Sequence, residues 1–344
     1  MRTRTTRSRL LAALPSIVFS GLLSCLSITN LSAQSDTYQV SRTADGSPDL
    51  QGMWTNNTIT PLSRPERYAE QLILTAAEAM QLEQEITDYT TGRDQPSDPD
   101  RSAPTKVKIE LADSYNNFWF DGGTAVAEYN GEYRSSLIVD PANGQIPDYT
   151  PAAMERVRLA RLERENRGAF DGPETRPLPE RCLLSFGSSS GPPMLPILYN
   201  NHYQIVQSPG YVMILVEMVH DVRIIRIDDD PLPANMRPWL GDSVAYWDGD
   251  TLVVETTKFN SNQRFRNSSD QFSVLERFTR VANDRINYSF TVTDPDTFSQ
   301  AWSAEIPMNL TDDRLYEYAC HEGNYSLSGV LAGARLDEAT QDTQ

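Results

Sequence analysis

The chain of 344 residues carries 30 basic and 47 acidic side chains, which gives a formal net charge of −17. That charge excludes a general nucleic-acid binder and a protein that docks on anionic lipid, because both partners require a basic surface. Hydrophobic residues make up 39% of the chain and aromatic residues 9%, which excludes a disordered protein. The composition therefore predicts an acidic globular protein.

The first 33 residues predict a signal peptide. Four arginines precede an apolar stretch at residues 10–28, and the segment contains no acidic residue. Leu31-Ser32-Ala33 forms a cleavage site before Gln34. Two alternatives remain. The apolar stretch approaches the roughly 20 residues of a membrane span, and Leu22-Leu23-Ser24-Cys25 resembles a bacterial lipobox that would place a lipid anchor on Cys25. Serines and a proline dilute the stretch, so we expect a periplasmic or secreted protein without a membrane span.

Two cysteines remain when Cys25 is set aside, Cys182 and Cys320. In an oxidising compartment two cysteines favour one disulfide bond. Two free buried thiols, or a single nucleophilic thiol, are the alternatives.

Residues 34–335 are predicted to form one β-rich domain that contains two helices. Thr75 and Glu78 form a capping box that begins a helix near residues 75–90. A polar, proline-rich loop follows at residues 91–106. The second helix covers residues 151–166, with Pro151 at the favoured first position. Residues 336–344 are predicted to be a disordered tail.

Most of the remaining pattern predicts β-strands. The motif Gly52-Met53-Trp54 resembles the opening of lipocalin-type barrels, in which the tryptophan plugs the closed end. Residues 135–146 predict a hairpin, and nine strand-like runs follow with short turns between them. The runs cover residues 203–207, 211–218, 222–227, 243–247, 251–258, 272–280, 285–293, 301–308 and 315–318. A meander of this length usually closes, so we predict a mainly β fold, a lipocalin-like or strongly curved antiparallel β-barrel with two helical insertions.

The chain has three histidines, and an acidic residue directly follows two of them: His220 precedes Asp221 and His321 precedes Glu322. If residues 217–223 stay extended, alternation places Glu217, Asp221 and Arg223 on one face. Imidazole is the natural acid or base near neutral pH. We therefore predict that His220 and His321 act as acid and base at one cavity.

The charged residues near the two histidines are predicted to have supporting roles in catalysis. Asp221 or Glu322 would orient an imidazole, and Arg223 would hold an anionic group of the substrate. The structural alternatives are a surface ion pair of Asp221 with Arg223 and hydrogen-bonded core histidines.

An aromatic cluster at residues 115–123 is a candidate ligand wall. Its members Tyr115, Trp119 and Phe120, together with Tyr325, are the predicted ligand-binding residues. The alternative is an aromatic core strand. Ser189 has the spacing of a nucleophile elbow, but the prolines that follow block the required helix. No metal or cofactor is predicted, because the chain lacks zinc-ligand spacings and phosphate-binding loops.

Seven motifs together resemble a large, uncharacterised family of exported bacterial proteins. They include DLxGxW, EMVHDxRII and ACHEGNY, and they lie at residues 45–54, 115–122, 136–141, 180–183, 217–225, 239–243 and 319–325. The resemblance covers nearly the whole mature chain. It implies export and a shared fold, and it implies no reaction.

Two functional hypotheses follow from these residues. The first is an exported enzyme that uses His/carboxylate acid–base chemistry, as a lyase, isomerase or hydrolase, on a small extracellular organic molecule. The second is a non-catalytic periplasmic carrier of an apolar or aromatic small ligand. An enzyme should bring titratable groups within hydrogen-bonding reach of each other, whereas a carrier should have an almost wholly apolar pocket.

Overall fold

Ten strands form the main sheet of the computed structural model, which describes residues 38–93, 100, 120–186 and 190–341. The strands are β1 Gly52–Thr55, β5 Ile138–Asp140, β6 His202–Ser208, β7 Tyr211–Val216, β8 Val222–Ile227, β9 Asp242–Asp248, β10 Thr251–Thr257, β11 Ser273–Ala282, β12 Arg285–Thr293 and β13 Trp302–Leu310. A small sheet contains β2 Ile73–Leu74, β3 Glu128–Tyr129 and β4 Glu132–Arg134. The helices are α1 Ala76–Arg93, α2 Pro151–Asn166 and α3 Tyr325–Gln341.

Strand β1 closes the sheet into a nine-stranded barrel, because it pairs with β6 on one side and with β13 on the other. The prediction of a mainly β, barrel-like fold is therefore confirmed. Strand directions can alternate all the way round a closed barrel only if the number of strands is even. Nine strands require a parallel neighbour pair, and β8 and β9 supply it. Strands β5 and β1 pair with the same edge of β13: β5 pairs near its start and β1 pairs at its end.

Both predicted helices begin where the capping residues indicate. Thr75 Oγ1 accepts a hydrogen bond from the Glu78 N–H (3.2 Å), and the Thr75 N–H donates to Glu78 Oε2 (2.7 Å), which starts α1. Thr150 caps α2 through the Ala153 N–H, with Pro151 at the first helical position. None of the helices within the described ranges is both long and apolar enough to cross a bilayer.

Three predictions about secondary structure are wrong. Residues 135–146 do not form a hairpin, because β5 pairs with β13 and residues 145–146 are not a strand. Residues 315–318 are irregular. Residues 336–341 belong to α3, where the sequence analysis predicts a disordered tail. No residue of α3 is buried, so this helix lacks the apolar stripe that would reveal it in the sequence.

Buried aromatic rings fill the barrel interior. Trp54 is fully buried, and its Nε1 donates to the Leu50 carbonyl (3.0 Å) while the Arg280 guanidinium lies over its ring. A continuous series of ring contacts joins the other aromatic residues. It runs through Phe278, Tyr288, Phe290, Trp302, Phe265, Phe272 and Phe259.

The two ends of the barrel differ in the length of their connections. Tight turns at residues 209–210, 249–250 and 283–284 lie at one end. At the other end β6 begins at His202, β7 ends at Val216 and longer connections cross. We call this second end the mouth, and it carries all three histidines.

Candidate functional site

His202 and Glu217 form a hydrogen-bonded acid–base pair at the mouth. His202 is the first residue of β6, and Glu217 directly follows β7, so backbone pairing brings them together: the Glu217 N–H donates to the His202 carbonyl (3.0 Å). His202 Nδ1 lies 2.8 Å from Glu217 Oε2. The Tyr316 N–H donates to Glu217 Oε1 (3.0 Å), so both carboxylate oxygens of this buried side chain are bound.

This hydrogen bond sets the protonation of both groups. The contact with Glu217 raises the pKa of His202 despite its partial burial. Burial alone would raise the pKa of Glu217, but the hydrogen bonds from His202 and the Tyr316 N–H outweigh it and the pKa is lowered. Since an ionised carboxylate can only accept, Nδ1 carries the proton and Nε2 is the nitrogen left for chemistry. Nε2 lies 3.6 Å from the exposed carboxylate of Asp313.

Asp121 is a third carboxylate beside His202. The Asn57 side-chain amide donates to Asp121 Oδ1 (2.6 Å), and the Asp121 backbone is bound to Leu198 and Asn201. Burial raises the pKa of Asp121, and His202 is the one positive group among the main charges that act on it. Its Oδ2 is buried without a hydrogen-bond partner among the described residues.

Aromatic side chains lie next to these carboxylates. Phe120, adjacent to Asp121 in the chain, stacks on Tyr199 with ring centroids 6.4 Å apart and planes inclined by 12°. Tyr199 also hydrogen bonds to Tyr318, whose pKa is raised by burial. Phe120 was a predicted ligand-binding residue, whereas Tyr115 and Trp119 lie outside the described residues. Tyr325, also a predicted ligand-binding residue, is 80% exposed at the start of α3.

The structure brings the predicted pair His220 and His321 together. Their ring centroids are 6.1 Å apart, with planes inclined by 30°, and both residues are exposed. Residues 217–223 are not extended, however. A 3-10 turn covers Met218–His220, and Val219 and His220 have positive φ angles of 61° and 47°. The predicted alternation of faces is therefore wrong from Glu217 to Asp221.

The other predicted catalytic residues lie in three different settings. Asp221 Oδ2 accepts a hydrogen bond from Ser190 Oγ (2.9 Å), and burial raises the pKa of Asp221 to about 6 while the nearby His220 opposes the rise. Glu322 is exposed in the turn after His321. Arg223 is buried in the barrel interior.

Arg223 is unavailable to hold a substrate anion, contrary to the sequence prediction. Its two terminal nitrogens bind both carboxylate oxygens of Glu276 at 3.0 and 2.6 Å, and the Tyr288 hydroxyl donates to the same carboxylate (2.8 Å). The Arg223 and Glu276 side chains are 1% and 0% exposed. Because β8 begins just after the turn, its first inward-facing residue enters the core rather than the mouth.

Cys182 and Cys320 lie at disulfide-bonding distance, with 1.95 Å between the sulfur atoms and 5.7 Å between the Cα atoms. This agrees with the predicted pairing. Cys320 directly precedes His321, and the Asn324 side chain donates to the Glu180 carbonyl (2.8 Å) nearby. The cysteine pair therefore anchors the C-terminal segment that brings His321 to the mouth.

Sequence reasoning missed His202 and Asp121, and it assigned no role to Asp313. His202 has no acidic neighbour in the sequence, and only the pairing of β6 with β7 reveals its partner. The small number of histidines was the one signal in the sequence that could have pointed to His202. All three histidines lie at the same end of the barrel. Within the described part of the chain, no three or more His, Cys, Asp or Glu side chains are arranged to hold a metal ion.

Comparison with known proteins gives no match to a family model, a curated protein or a solved structure. The resemblance to exported bacterial proteins therefore stays an expectation, and the functional argument rests on the site itself.

Proposed function

We propose that this protein is an exported enzyme that performs acid–base chemistry on a small organic molecule at the barrel mouth. The observation that carries the proposal is the hydrogen bond between His202 Nδ1 and Glu217 Oε2 (2.8 Å), which leaves Nε2, 3.6 Å from the exposed Asp313 carboxylate, as the nitrogen for proton transfer. A carboxylate that fixes the tautomer and orientation of an imidazole is a recurring feature of acid–base sites. The reaction class is a lyase, isomerase or hydrolase reaction.

His202 would exchange a proton with the substrate through Nε2. The hydrogen bond with Glu217 raises the pKa of His202 and favours the protonated imidazole, so His202 holds the proton that an acid catalyst would donate. Substrate binding would displace Asp313, whose side chain is 74% exposed and lies 3.6 Å from Nε2. The stacked rings of Phe120 and Tyr199 would position an apolar part of the substrate.

His220 and His321 would supply the second proton-transfer group. They are carried by the same two segments as the first pair: Glu217 and His220 flank the turn after β7, and the Tyr316 N–H bound to Glu217 lies five residues before His321. A reaction that removes one proton and delivers another needs two such groups. This retains the predicted acid–base role of the histidine pair and adds His202 to it.

Export to the periplasm or the outside of the cell is part of the proposal. It is supported by the predicted signal peptide and by a cysteine pair at bonding distance, since disulfides persist in oxidising compartments.

The carrier alternative has less support. A carrier of apolar ligands would need space among apolar side chains, and the described aromatic residues of the interior contact one another in series. An apolar cleft of about 270 Å³ does exist, but it lies between α1 and the small sheet and is lined by residues such as Tyr68, Leu82 and Ile86.

The proposal is tested by turnover in D2O. Esters, ketones and β-hydroxycarbonyl compounds, one class for each reaction type, are incubated with the protein, and mass spectrometry follows their consumption and deuterium uptake. We expect wild-type turnover of one class and a loss of about 10²–10⁴-fold in His202→Gln.

The control is Asp248→Asn, which removes a carboxylate paired with Arg277 at the opposite end of the barrel and should leave the rate unchanged. Circular dichroism must show that His202→Gln is folded. A wild-type protein that changes none of the compounds, or a His202→Gln variant that keeps the wild-type rate, contradicts the proposal.

A further inference from the structure

Around His202, the described carboxylates outnumber the positive groups. Three carboxylates act on His202: Glu217 at 2.8 Å from Nδ1, Asp313 at 3.6 Å from Nε2, and Asp121, which interacts with it through charge. One imidazole can carry a single positive charge, against three neighbouring carboxyl groups. The chain as a whole is also strongly acidic, with a net charge of −17. An anionic ligand would therefore be repelled both on approach and at the site.

Asp121 has an acceptor that the described residues leave unused. The Asn57 amide binds Oδ1, but Oδ2 is buried without a hydrogen-bond partner among the described residues. A buried, unbound carboxylate oxygen carries a desolvation cost, which a donor with positive charge would offset most effectively. Asp313, whose side chain is 74% exposed, can turn toward the same donor.

A metal ion is not the cation that fits. No group of three or more potential ligands is arranged around a common point anywhere in the described ranges, although His202, Glu217, Asp121 and Asp313 are neighbours. The adjoining surface is aromatic instead, formed by Phe120, Tyr199 and Tyr318. An aromatic face beside carboxylates suits an organic cation, because ring faces attract ammonium groups while the ring edges bind apolar atoms.

We propose that the substrate of this site carries an organic cation, an ammonium or amidinium group, on an aromatic or apolar body. The cation lies between Asp121 and Asp313, and the body packs on the Phe120–Tyr199 stack. This inference rests on the proposed function, since it names the substrate class of the same site. It replaces the sequence-based expectation of an anionic substrate, which required Arg223 to be accessible.

The test compares three probes of similar size that differ in charge: benzylamine as the cation, benzyl alcohol as the neutral compound and benzoate as the anion. Binding to the full folded protein is measured at pH 7 by isothermal titration calorimetry. The shifts of the His202 ring signals in NMR spectra report whether the probe binds at the mouth. We expect benzylamine to bind more tightly than benzyl alcohol and benzoate to bind most weakly.

Variants locate the cation. Asp313→Asn should weaken benzylamine binding by about two- to fivefold, as expected for one exposed charge pair, and leave benzyl alcohol binding unchanged. Asp121→Asn should weaken benzylamine binding by about tenfold. The matched control is Asp312→Asn, which removes the same charge from an exposed neighbour and should change neither affinity.

Benzoate binding as tight as that of benzylamine, no preference among the three probes, or an Asp313→Asn variant with unchanged benzylamine affinity would overturn the inference. These measurements involve no turnover. The cation preference can therefore fail while His202 still proves essential for catalysis, and the two failures are distinguishable.

Discussion

Charged side chains are paired and buried in the barrel interior but unbalanced and partly exposed at the barrel mouth, although residues 217–223 contribute to both places. In the interior, Arg223 faces one carboxylate, Glu276, and both are almost fully excluded from solvent. At the mouth, Glu217 belongs to a group of three carboxylates around one imidazole, and Asp313 is largely exposed. The interior pair is charge-balanced and buried, so it leaves no charged group to bind a ligand. The group at the mouth is unbalanced and partly exposed, so its carboxylates can bind one.

The turn at Met218–His220 separates these two environments. Positive φ angles at Val219 and His220 reverse the local chain direction, so Glu217 stays at the mouth while β8 carries Arg223 into the core. Non-glycine residues rarely adopt such angles, and they persist only where surrounding contacts hold them. Here Met218 and Val219 are both buried, which fixes the turn.

Removing one member of the interior pair should have the largest effect on stability. Arg223→Met leaves the Glu276 carboxylate buried without its cation, and we expect the free energy of unfolding to fall by about 3–5 kcal/mol. Urea denaturation measures the change. The double variant Arg223→Met/Glu276→Leu should recover most of the loss, because no buried charge remains.

The mouth variant His202→Gln should cost about 1 kcal/mol, the value of one hydrogen bond. Equal losses at the two places would contradict the distinction between interior and mouth.

Breaking the cysteine pair tests how the mouth is held together. Cys182→Ser should lower the free energy of unfolding by about 2–5 kcal/mol, because the bond closes a loop with a sequence separation of 138 residues. Thermal unfolding of wild-type protein with a reductant should reproduce the loss, and the same reductant should leave the double Cys182→Ser/Cys320→Ser variant unchanged. Two alkylatable thiols in unreduced protein would show that the bond does not form.

The sequence predicts the barrel strands well because residues typical of turns separate one strand from the next. Asp248-Gly249-Asp250 and Asn283-Asp284 mark hairpins that the structure contains. Residues 138–140 were harder to interpret, because they form a strand that pairs with the distant β13 rather than with a neighbouring segment. Local pattern cannot reveal a partner more than 150 residues away, and it cannot reveal α3, which buries no residue.

The site could be predicted only in part for the same reason. The predicted proximity of His220 and His321 is seen in the structure, although His321 follows an irregular segment and not the predicted strand. The error at Arg223 came from assuming that an extended strand continues through residues 217–223. His202 and Asp121 meet at the mouth only because β6 and the residues before it pair with other segments, including the contact of Asp121 with Leu198.

Asp221 lies between the two environments, and its replacement should change the free energy of unfolding less than replacement of Arg223 or Cys182. Its carboxyl is largely buried and bound by Ser190, and its pKa is raised to about 6 because burial disfavours the ionised form. The native state therefore binds this proton more tightly than the unfolded chain does. The ionised carboxylate reduces stability above pH 6, and the penalty disappears as the pH falls toward 4.

The variant Asp221→Asn keeps an acceptor for the Ser190 hydroxyl and removes the charge. We expect it to raise the free energy of unfolding at pH 7.5 by about 1–2 kcal/mol, after allowance for partial solvent exposure, and to match the wild type below pH 4. Urea denaturation at several pH values measures the difference, and Asp312→Asn, which changes an exposed carboxylate, is the control. His202 has a raised pKa, so its stabilising contribution is lost as the pH rises; it is present in both proteins and cancels in the comparison. A variant that is less stable than the wild type at pH 7.5 would show that ionised Asp221 has a cationic partner, and His220 would then be that partner.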